Sequence, residues 1–251
     1  MVNYSKVAGD HLNYDRTIRM YDEGYPPEVL DKIVVSGEIH KGKFVHSNFS
    51  DSYMLQMKTL KGLKGAKKIL EIGPGEMFTA RNLKTLGYTY HTLDQDPRIE
   101  PTYVCSFFSF EYKWHKNEYD AVCAFQVLEH LPYGRFKEAI CRMKTISRKY
   151  IVISLPYSCK GFRESRTEWD GQFNKTAERV IEHFEPTNLP NRRYRKEYIE
   201  EFPWAVHYWE IGRKGFPLVR VIDDIEACEL KILDRFHSEE PFHYFIVIEI
   251  M

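Results

Sequence analysis

The stretch KILEIGPGEMFTARNLKTLGYTYHTLDQ, residues 68–95, decides the fold of this chain. Its apolar start predicts a buried strand, which Gly73-Pro74-Gly75 ends. Residues 78–86 have helical spacing, and a second strand over residues 88–93 ends just before Asp94. A strand, a glycine turn, a helix and a strand followed by a carboxylate are typical of an open parallel sheet. In such a sheet, a nucleoside-sized crevice lies at the carboxyl ends of the strands.

The alternation of strands and helices continues beyond this stretch. Further strands are predicted at residues 102–105, 119–125 and 149–155, with a helix over residues 133–147. Residues 229–236 and 242–250 predict two strands that must be antiparallel, because the turn between them is too short for a crossover. We therefore expect an α/β fold, doubly wound, with a mostly parallel seven-stranded sheet and an antiparallel last strand.

Three parts of the chain differ in pattern. Residues 1–65 predict an N-terminal cap of helices, of which residues 50–61 are the best defined. Residues 66–156 and 217–251 carry the strand and helix alternation and form the core. Residues 157–216 interrupt it with polar and aromatic sequence, and a connection this long predicts an insertion or lid that recognises a substrate.

Composition excludes several classes of protein. The 251 residues carry 36 basic and 36 acidic side chains, a balance that disfavours a general nucleic-acid binder. No apolar run approaches the length of about 20 residues that spans a membrane, and the first residues lack the apolar segment of a signal peptide. A cytoplasmic protein without membrane contact is expected. Five cysteines without a C-x-x-C pair predict neither a disulfide framework nor a zinc knuckle.

The glycine turn and Asp94 together predict a nucleoside-type cofactor. Glycines let a ligand approach the backbone, and amides at a helix start bind a carboxylate. Asp94 can accept hydrogen bonds from both ribose hydroxyls, while Glu71 can accept from an ammonium group. A dinucleotide is disfavoured, because Phe78 stands where G-x-G-x-x-G has its third glycine. No G-K-[ST] follows the turn, so a phosphate-binding P-loop is absent.

Three segments resemble motifs of the class I S-adenosylmethionine-dependent methyltransferases, in particular the small-molecule subgroup. They are EIGPGEM at residues 71–77, LDQD at residues 93–96 and YDAVCAFQVLEHLP at residues 119–132. The resemblance implies a Rossmann-like methyltransferase fold, S-adenosylmethionine as methyl donor, S-adenosylhomocysteine as product, and no metal. Two departures stand out: Met77 replaces a glycine, and CSFFSF at residues 105–110 lacks the acid that often contacts adenine.

The resemblance also implies roles for individual residues around the cofactor. Glu71, Gly73 and Gly75 would line the methionine end. Asp94 would hold the ribose with Gln95 beside the adenine, where Ser106 and Phe107 would also contribute. Phe125 and Gln126 would flank the sulfonium. Asp120 lies at the opposite end of its strand and is expected to be structural.

Residues for the methyl acceptor come from the insertion and from the end of the fourth strand. His207 is a candidate base with Glu210 beside it, and His130 is the second candidate; packing or capping is the alternative for each. Tyr208 and Trp209 are candidate substrate contacts, or else an aromatic anchor. Arg192 and Arg193 form a basic run that fits either a solvated helix face or a clamp for a phosphate or carboxylate.

The predicted function is methyl transfer to an oxygen, or secondarily a nitrogen, of a polar small molecule. A sugar, a nucleotide sugar or another phosphorylated metabolite fits the basic run. Three alternatives remain open: a catalytically inactive binding module that keeps the fold, an RNA methyltransferase and a nicotinamide oxidoreductase.

Overall fold

A computed structural model describes residues 49–170, 172, 175–190 and 207–251. Most of the predicted N-terminal cap, residues 1–48, lies outside the described residues, as do Arg192 and Arg193.

A seven-stranded sheet forms the centre of the molecule, with strand order β3-β2-β1-β4-β5-β9-β8. Its strands are β1 Lys68–Ile72, β2 Thr89–Asp94, β3 Tyr103–Val104, β4 Tyr119–Phe125, β5 Ser147–Pro156, β8 Leu230–His237 and β9 His243–Ile250. The first five are parallel to one another, and β9 runs antiparallel to both of its neighbours, β5 and β8. The predicted doubly wound sheet with an antiparallel last strand is therefore confirmed.

Helices cover both faces of this sheet. They are α1 Phe49–Gly62, α2 Phe78–Thr85, α3 Phe136–Ile146 and α4 Leu218–Glu226. Leu60 of α1 and Leu83 of α2 are buried on one face, and Ile140 of α3 and Ile225 of α4 on the other. Because the central strands are covered on both sides, they read as continuous apolar runs, which is why the sequence predicts them well.

The helix predicted at residues 50–61 packs on the sheet layer through α2. Its Tyr53 ring lies 5.1 Å from the ring of Phe78, and Thr79 donates a hydrogen bond of 2.6 Å to Gln56. These contacts fit a helix that covers apolar surface.

Part of the predicted insertion folds as a long hairpin that the sequence did not predict. Its strands are β6 Cys159–Trp169 and β7 Lys175–Pro186, paired antiparallel as a separate sheet. Both faces of the hairpin are largely exposed, with aromatic side chains such as Phe162 and Trp169 more than half accessible. Neither face carries an apolar stripe to bury, so the period-2 pattern that identifies a strand is missing.

Asp120 lies at the amino edge of the sheet, where it joins β4 to the start of β1. One carboxylate oxygen accepts hydrogen bonds from the amides of Lys67 and Lys68 at 2.9 and 2.8 Å, and the other accepts from Arg148 at 2.7 Å. The predicted structural role of Asp120 is thus confirmed. Within the described residues, no helix is both long and apolar enough to cross a membrane.

Candidate active site

The glycine turn after β1 is built on left-handed backbone. Gly73 has φ 64° and donates a hydrogen bond of 2.9 Å to the carbonyl of Leu93. A Cβ at Gly73 would lie 2.6 Å from a methyl of Val127, so a side chain has no room there. Gly75, at φ 53°, has no described atom within 4 Å of the place of a Cβ. The turn therefore packs tightly at its first glycine and leaves open space at its second.

Met77 stands at the position where the resemblance implies a third glycine. It caps the amino end of α2 with φ 61° and ψ 16°, in the left-handed region. That conformation costs a side-chain-bearing residue about 1–2 kcal/mol. The Met77 side chain is 7% exposed and packs in the apolar cluster beneath α1 and α2. Burial of the side chain offsets the backbone strain, so the turn keeps its form without the third glycine.

Two carboxylates lie at the ends of the first two strands, of which Glu71 is buried and Asp94 half-buried. Glu71 is 3% exposed, and burial, with a further contribution from Asp94, raises its pKa to about 7. Burial likewise raises the pKa of Asp94 to about 6, although the amide of Asp96 donates to its carboxylate at 2.9 Å. One carboxylate oxygen of Glu71 has no hydrogen-bond partner among the described residues. Acids with raised pKa values at the carboxyl edge of such a sheet indicate a ligand-binding crevice.

The residues assigned to the adenine end differ in their burial and in their hydrogen bonds. The side-chain oxygen of Gln95 is buried and has no hydrogen-bond partner within the described part of the chain, so it is available to a ligand. The Ser106 hydroxyl accepts from the amide of Phe108 at 3.2 Å, which is a local turn contact. Ser106 is 2% and Phe107 7% exposed, and Phe107 belongs to the core cluster. The adenine contacts of these three residues stay predictions.

At the end of β4, Gln126 adopts φ 57°, a strained conformation for a residue with a side chain. Its amide nitrogen donates to the carbonyl of Ser154 at 3.0 Å, and its carboxamide to the Ser154 hydroxyl at 3.3 Å. Phe125 before it is 7% exposed and contacts the ring of Phe245. Strained residues gather at functional sites, so this point favours the predicted contact with the sulfonium.

The structure brings the candidate bases together. The rings of His130 and His207 lie edge to face with centroids 5.0 Å apart. Nδ1 of His207 and a carboxylate oxygen of Glu210 are 2.9 Å apart, and the other oxygen of Glu210 accepts from Arg213 at 2.9 Å. Although burial alone would raise it, these two contacts hold the pKa of the 1% exposed Glu210 below its ordinary value. An ionised Glu210 fixes the orientation of the His207 ring.

Tyr208 and Trp209 follow His207 in the chain, and the side chains of both are buried. Trp209 is fully buried, its indole N–H donates to the carbonyl of Leu131 at 3.1 Å, and its ring packs on Tyr133 and Phe136. These contacts place Trp209 in the core and give its expected substrate contact no support. The Tyr208 amide donates to the carbonyl of Glu129 at 2.8 Å, and its side chain is 5% exposed.

Two residues of this site were missed at the level of sequence. Glu129 is fully buried in the short 3-10 helix Leu128–His130, and its ligand atom lies within 4.8 Å of those of His130 and His207. Arg213 holds Glu210 from the other side. Glu129 stands within the V-L-E-H-L-P motif beside a candidate base, a signal that could have identified it. Arg213 had no comparable signal.

A cleft of about 260 Å³ borders this group of residues. Glu210 and Arg213 form one wall, and the rest of the lining comes from residues after β5 and before β9: Tyr157, Ser158, Cys159, Glu240, Pro241 and Phe242. The cleft is therefore next to the His207–Glu210 pair, at the carboxyl end of β5.

Solved structures of two methyltransferases share this fold. One is the Burkholderia thailandensis 1,6-didemethyltoxoflavin-N1-methyltransferase, solved with 1,6-didemethyltoxoflavin and S-adenosylhomocysteine; it is 12% identical, with 88% of this chain and 86% of that chain covered and a TM-score of 0.52. The other is the sugar N-methyltransferase KedS8 from a Streptoalloteichus species, also 12% identical, with 84% and 91% covered and a TM-score of 0.52. No protein-family model and no curated protein matches the sequence.

The strand order, the antiparallel β9 and these two likenesses agree with one another. The chain has the fold of the class I S-adenosylmethionine-dependent methyltransferases, as the resemblance of its motifs implied.

Proposed function

We propose that this chain is an S-adenosylmethionine-dependent methyltransferase that moves a methyl group to an oxygen of a polar small molecule. The observation that carries the proposal is the arrangement at the carboxyl edge of the sheet. Two acids with raised pKa values lie at the ends of β1 and β2, and the carboxylate of Glu129 lies with the imidazoles of His130 and His207 at the end of β4. We call Glu71, Asp94 and the turn between β1 and α2 the cofactor half of the site, and Glu129, His130 and His207 its acceptor half. Both halves lie at the carboxyl edge of the sheet.

The cofactor half suits a cationic nucleoside. Glu71 can pair with the ammonium group of the methionine moiety, and the amides at the start of α2 can bind its carboxylate. Asp94 can accept from both ribose hydroxyls, because a carboxylate has about four lone-pair sites and the amides of Asp96 and Gln95 take only part of them. Gln95 supplies a buried oxygen beside Asp94 that can accept from the adenine amine.

The acceptor half suits a hydroxyl group. Methyl transfer needs a nucleophile in line with the sulfonium methyl, and an alcohol must lose its proton as it attacks. A hydrogen bond from Nδ1 of His207 to Glu210 leaves Nε2 with the lone pair that accepts such a proton. His130, 5.0 Å away between ring centroids, is the second candidate for this task.

Two further features bear on the identity of the acceptor. The cleft beside Glu210 combines the polar side chains of Ser158, Arg213 and Glu240 with the rings of Tyr157 and Phe242, a lining that suits a molecule with both hydroxyl groups and an apolar face, such as a sugar. Both solved structures of the same fold are named as nitrogen methyltransferases, one of a sugar. A nitrogen acceptor is therefore the second candidate, and an amine would need no base if it binds unprotonated.

Calorimetric titration with S-adenosylmethionine tests the cofactor half. Asp94→Ala should weaken binding about 100-fold or more, because it removes two charge-assisted hydrogen bonds worth about 1.5–3 kcal/mol each. Asp223→Ala, at an exposed position of α4, is the matched control and should bind like the wild type. Absence of binding by the wild-type protein at millimolar cofactor would leave the non-catalytic alternative.

Product mass tests the acceptor half. The protein is incubated with S-adenosylmethionine and a panel of sugars, amino sugars, nucleotide sugars and phosphorylated metabolites. We expect one acceptor class to gain the mass of one CH₂ unit, because a methyl group replaces a hydrogen, and fragmentation then identifies the oxygen or nitrogen that carries it. A panel without any methylated product, from a protein that binds the cofactor, would contradict the proposed acceptor class.

A further inference from the structure

Glu129, His130 and His207 converge on one point at the end of β4. Each offers one ligand atom, and these atoms all lie within 4.8 Å of one another. Glu129 is fully buried, His207 is 8% exposed, and His130 is half-buried. We call these three residues the Glu-His-His cluster. One carboxylate and two imidazoles within this distance can share a single bound ion.

Local structure and a tertiary contact together create the cluster. Glu129 and His130 are neighbours in the 3-10 helix Leu128–His130 that follows β4. His207 comes from the insertion, and the amide of the next residue, Tyr208, donates to the Glu129 carbonyl at 2.8 Å. This backbone contact fixes the insertion against the 3-10 helix, so the third ligand is held where the first two meet.

The cluster has the outer support that metal sites require. Ligating histidines usually donate their second ring N–H to a carboxylate, which fixes the tautomer and turns the other nitrogen towards the metal. Nδ1 of His207 has such a partner in Glu210 at 2.9 Å. Arg213 in turn binds the second oxygen of Glu210, so the supporting carboxylate is itself held on both sides. Nε2 of His207 is then the ligand atom.

We propose that the Glu-His-His cluster binds a divalent transition-metal ion, such as Zn²⁺ or Mn²⁺, at the acceptor half of the site. Two nitrogens and one oxygen are a ligand set that suits first-row transition metals rather than Ca²⁺ or Mg²⁺, which prefer oxygen alone. Three protein ligands leave at least one open position, as in metal sites that act on a substrate.

In the proposed methyl transfer, the ion activates the acceptor hydroxyl. This role rests on the proposed function. An acceptor hydroxyl that occupies the open position loses its proton to water, because a bound cation lowers the pKa of a coordinated oxygen. The resulting oxygen attacks the methyl carbon: a C–O bond forms, the C–S bond breaks, and the sulfur keeps the electron pair as a thioether. His207 then acts as a ligand, since its Nε2 lone pair cannot also accept the proton.

Metal binding is measured directly, without reference to methyl transfer. Full-length protein is treated with a chelator, dialysed and titrated calorimetrically with Zn²⁺, and separately with Co²⁺, whose visible absorption reports its ligands. We expect one ion per chain and a Co²⁺ spectrum of imidazole and carboxylate coordination. His207→Ala and His130→Ala should weaken Zn²⁺ binding about 100-fold or more, and Glu210→Gln about 10- to 100-fold.

Controls separate this site from adventitious binding. His183→Ala removes an exposed imidazole on the β6–β7 hairpin and should bind Zn²⁺ like the wild type. Thermal melts establish that each variant is folded, and the half-buried position of His130 makes its variant the safer test. Wild-type protein that binds no ion at millimolar Zn²⁺, or ligand variants that bind it unchanged, would overturn the proposal.

The same preparation is titrated with S-adenosylmethionine, so that the two proposals can fail separately. Cofactor binding without metal binding contradicts the metal site and leaves the methyltransferase. Metal binding without cofactor binding contradicts the methyltransferase and leaves the site.

Discussion

Replacement of Glu71 by glutamine should stabilise the ligand-free protein at alkaline pH and weaken its hold on the cofactor. The Glu71 carboxylate is 3% exposed, and one of its oxygens has no hydrogen-bond partner among the described residues. Burial raises its pKa from 4.5 to about 7, with Asp94 adding to the effect. The ionised form of Glu71 therefore lowers the free energy of unfolding, whereas a neutral side chain of the same shape does not.

The size and sign of this cost follow from the pKa. Between pH 4.5 and 7 the folded protein binds more protons at Glu71 than the unfolded chain does, so stability falls as the pH rises through this window. At about 1.4 kcal/mol per pKa unit, the loss reaches about 3 kcal/mol above pH 7. The glutamine amide is also polar and needs hydrogen-bond partners in the buried site, which reduces the gain. We therefore expect Glu71→Gln to raise the free energy of unfolding by about 1–3 kcal/mol at pH 8.

Urea unfolding of wild type and E71Q at pH 5 and pH 8 measures the effect. We expect E71Q to be more stable than wild type at pH 8, and the two proteins to differ little at pH 5. Glu111→Gln, at an exposed carboxylate, is the matched control and should follow the wild type at both values. An E71Q protein less stable than wild type at pH 8 would refute the reasoning about the buried charge.

The same variant tests the functional role of this acid. If Glu71 pairs with the ammonium of S-adenosylmethionine, loss of its charge should weaken cofactor binding about tenfold or more. Wild-type affinity should also fall as the pH drops through 7, because protonated Glu71 no longer attracts the cation. If E71Q and wild type bind S-adenosylmethionine equally well, the ammonium group of the cofactor does not pair with Glu71.

Three further predictions follow from the contacts around the crevice. Gly73→Ala should destabilise the protein by about 2 kcal/mol in urea unfolding through left-handed strain and a clash with Val127, and Val127→Ala in the same chain should restore only part of that loss. Asp120→Ala should lower the free energy of unfolding by about 2 kcal/mol at neutral pH and by less in acid, because burial raises the pKa of Asp120 but its hydrogen bonds hold that pKa below the ordinary value. Cofactor affinity measured by calorimetry should not change. Glu210→Gln should lower turnover at least about tenfold and alter its pH profile with cofactor affinity unchanged, since it positions His207; an active variant with the wild-type profile would contradict that role.

Local patterning predicted most of the core. The β1 and β4 strands occupy residues 68–72 and 119–125 in the sequence prediction and in the structure alike, and the other sheet strands differ by one or two residues at their ends. The β6–β7 hairpin was missed because both of its faces are largely exposed, so neither shows the alternation that reports a buried side. Hydrophobic periodicity identifies strands that bury one face, so a strand that buries few side chains gives only a weak pattern in the sequence.

The strand–turn–helix–strand of residues 68–95 determined, by itself, the parallel sheet, the crevice and the placement of Glu71 and Asp94 at one edge. This was readable because successive parallel strands end on the same side of a sheet. Only the tertiary structure decided which side chains meet there. Glu129 and His130 come from the end of β4 and His207 from the insertion, and hydrogen bonds from Tyr208 and Trp209 to the carbonyls of Glu129 and Leu131 hold the two segments together. Their convergence depends on how a connection folds back over the sheet, and no local periodicity encodes that path.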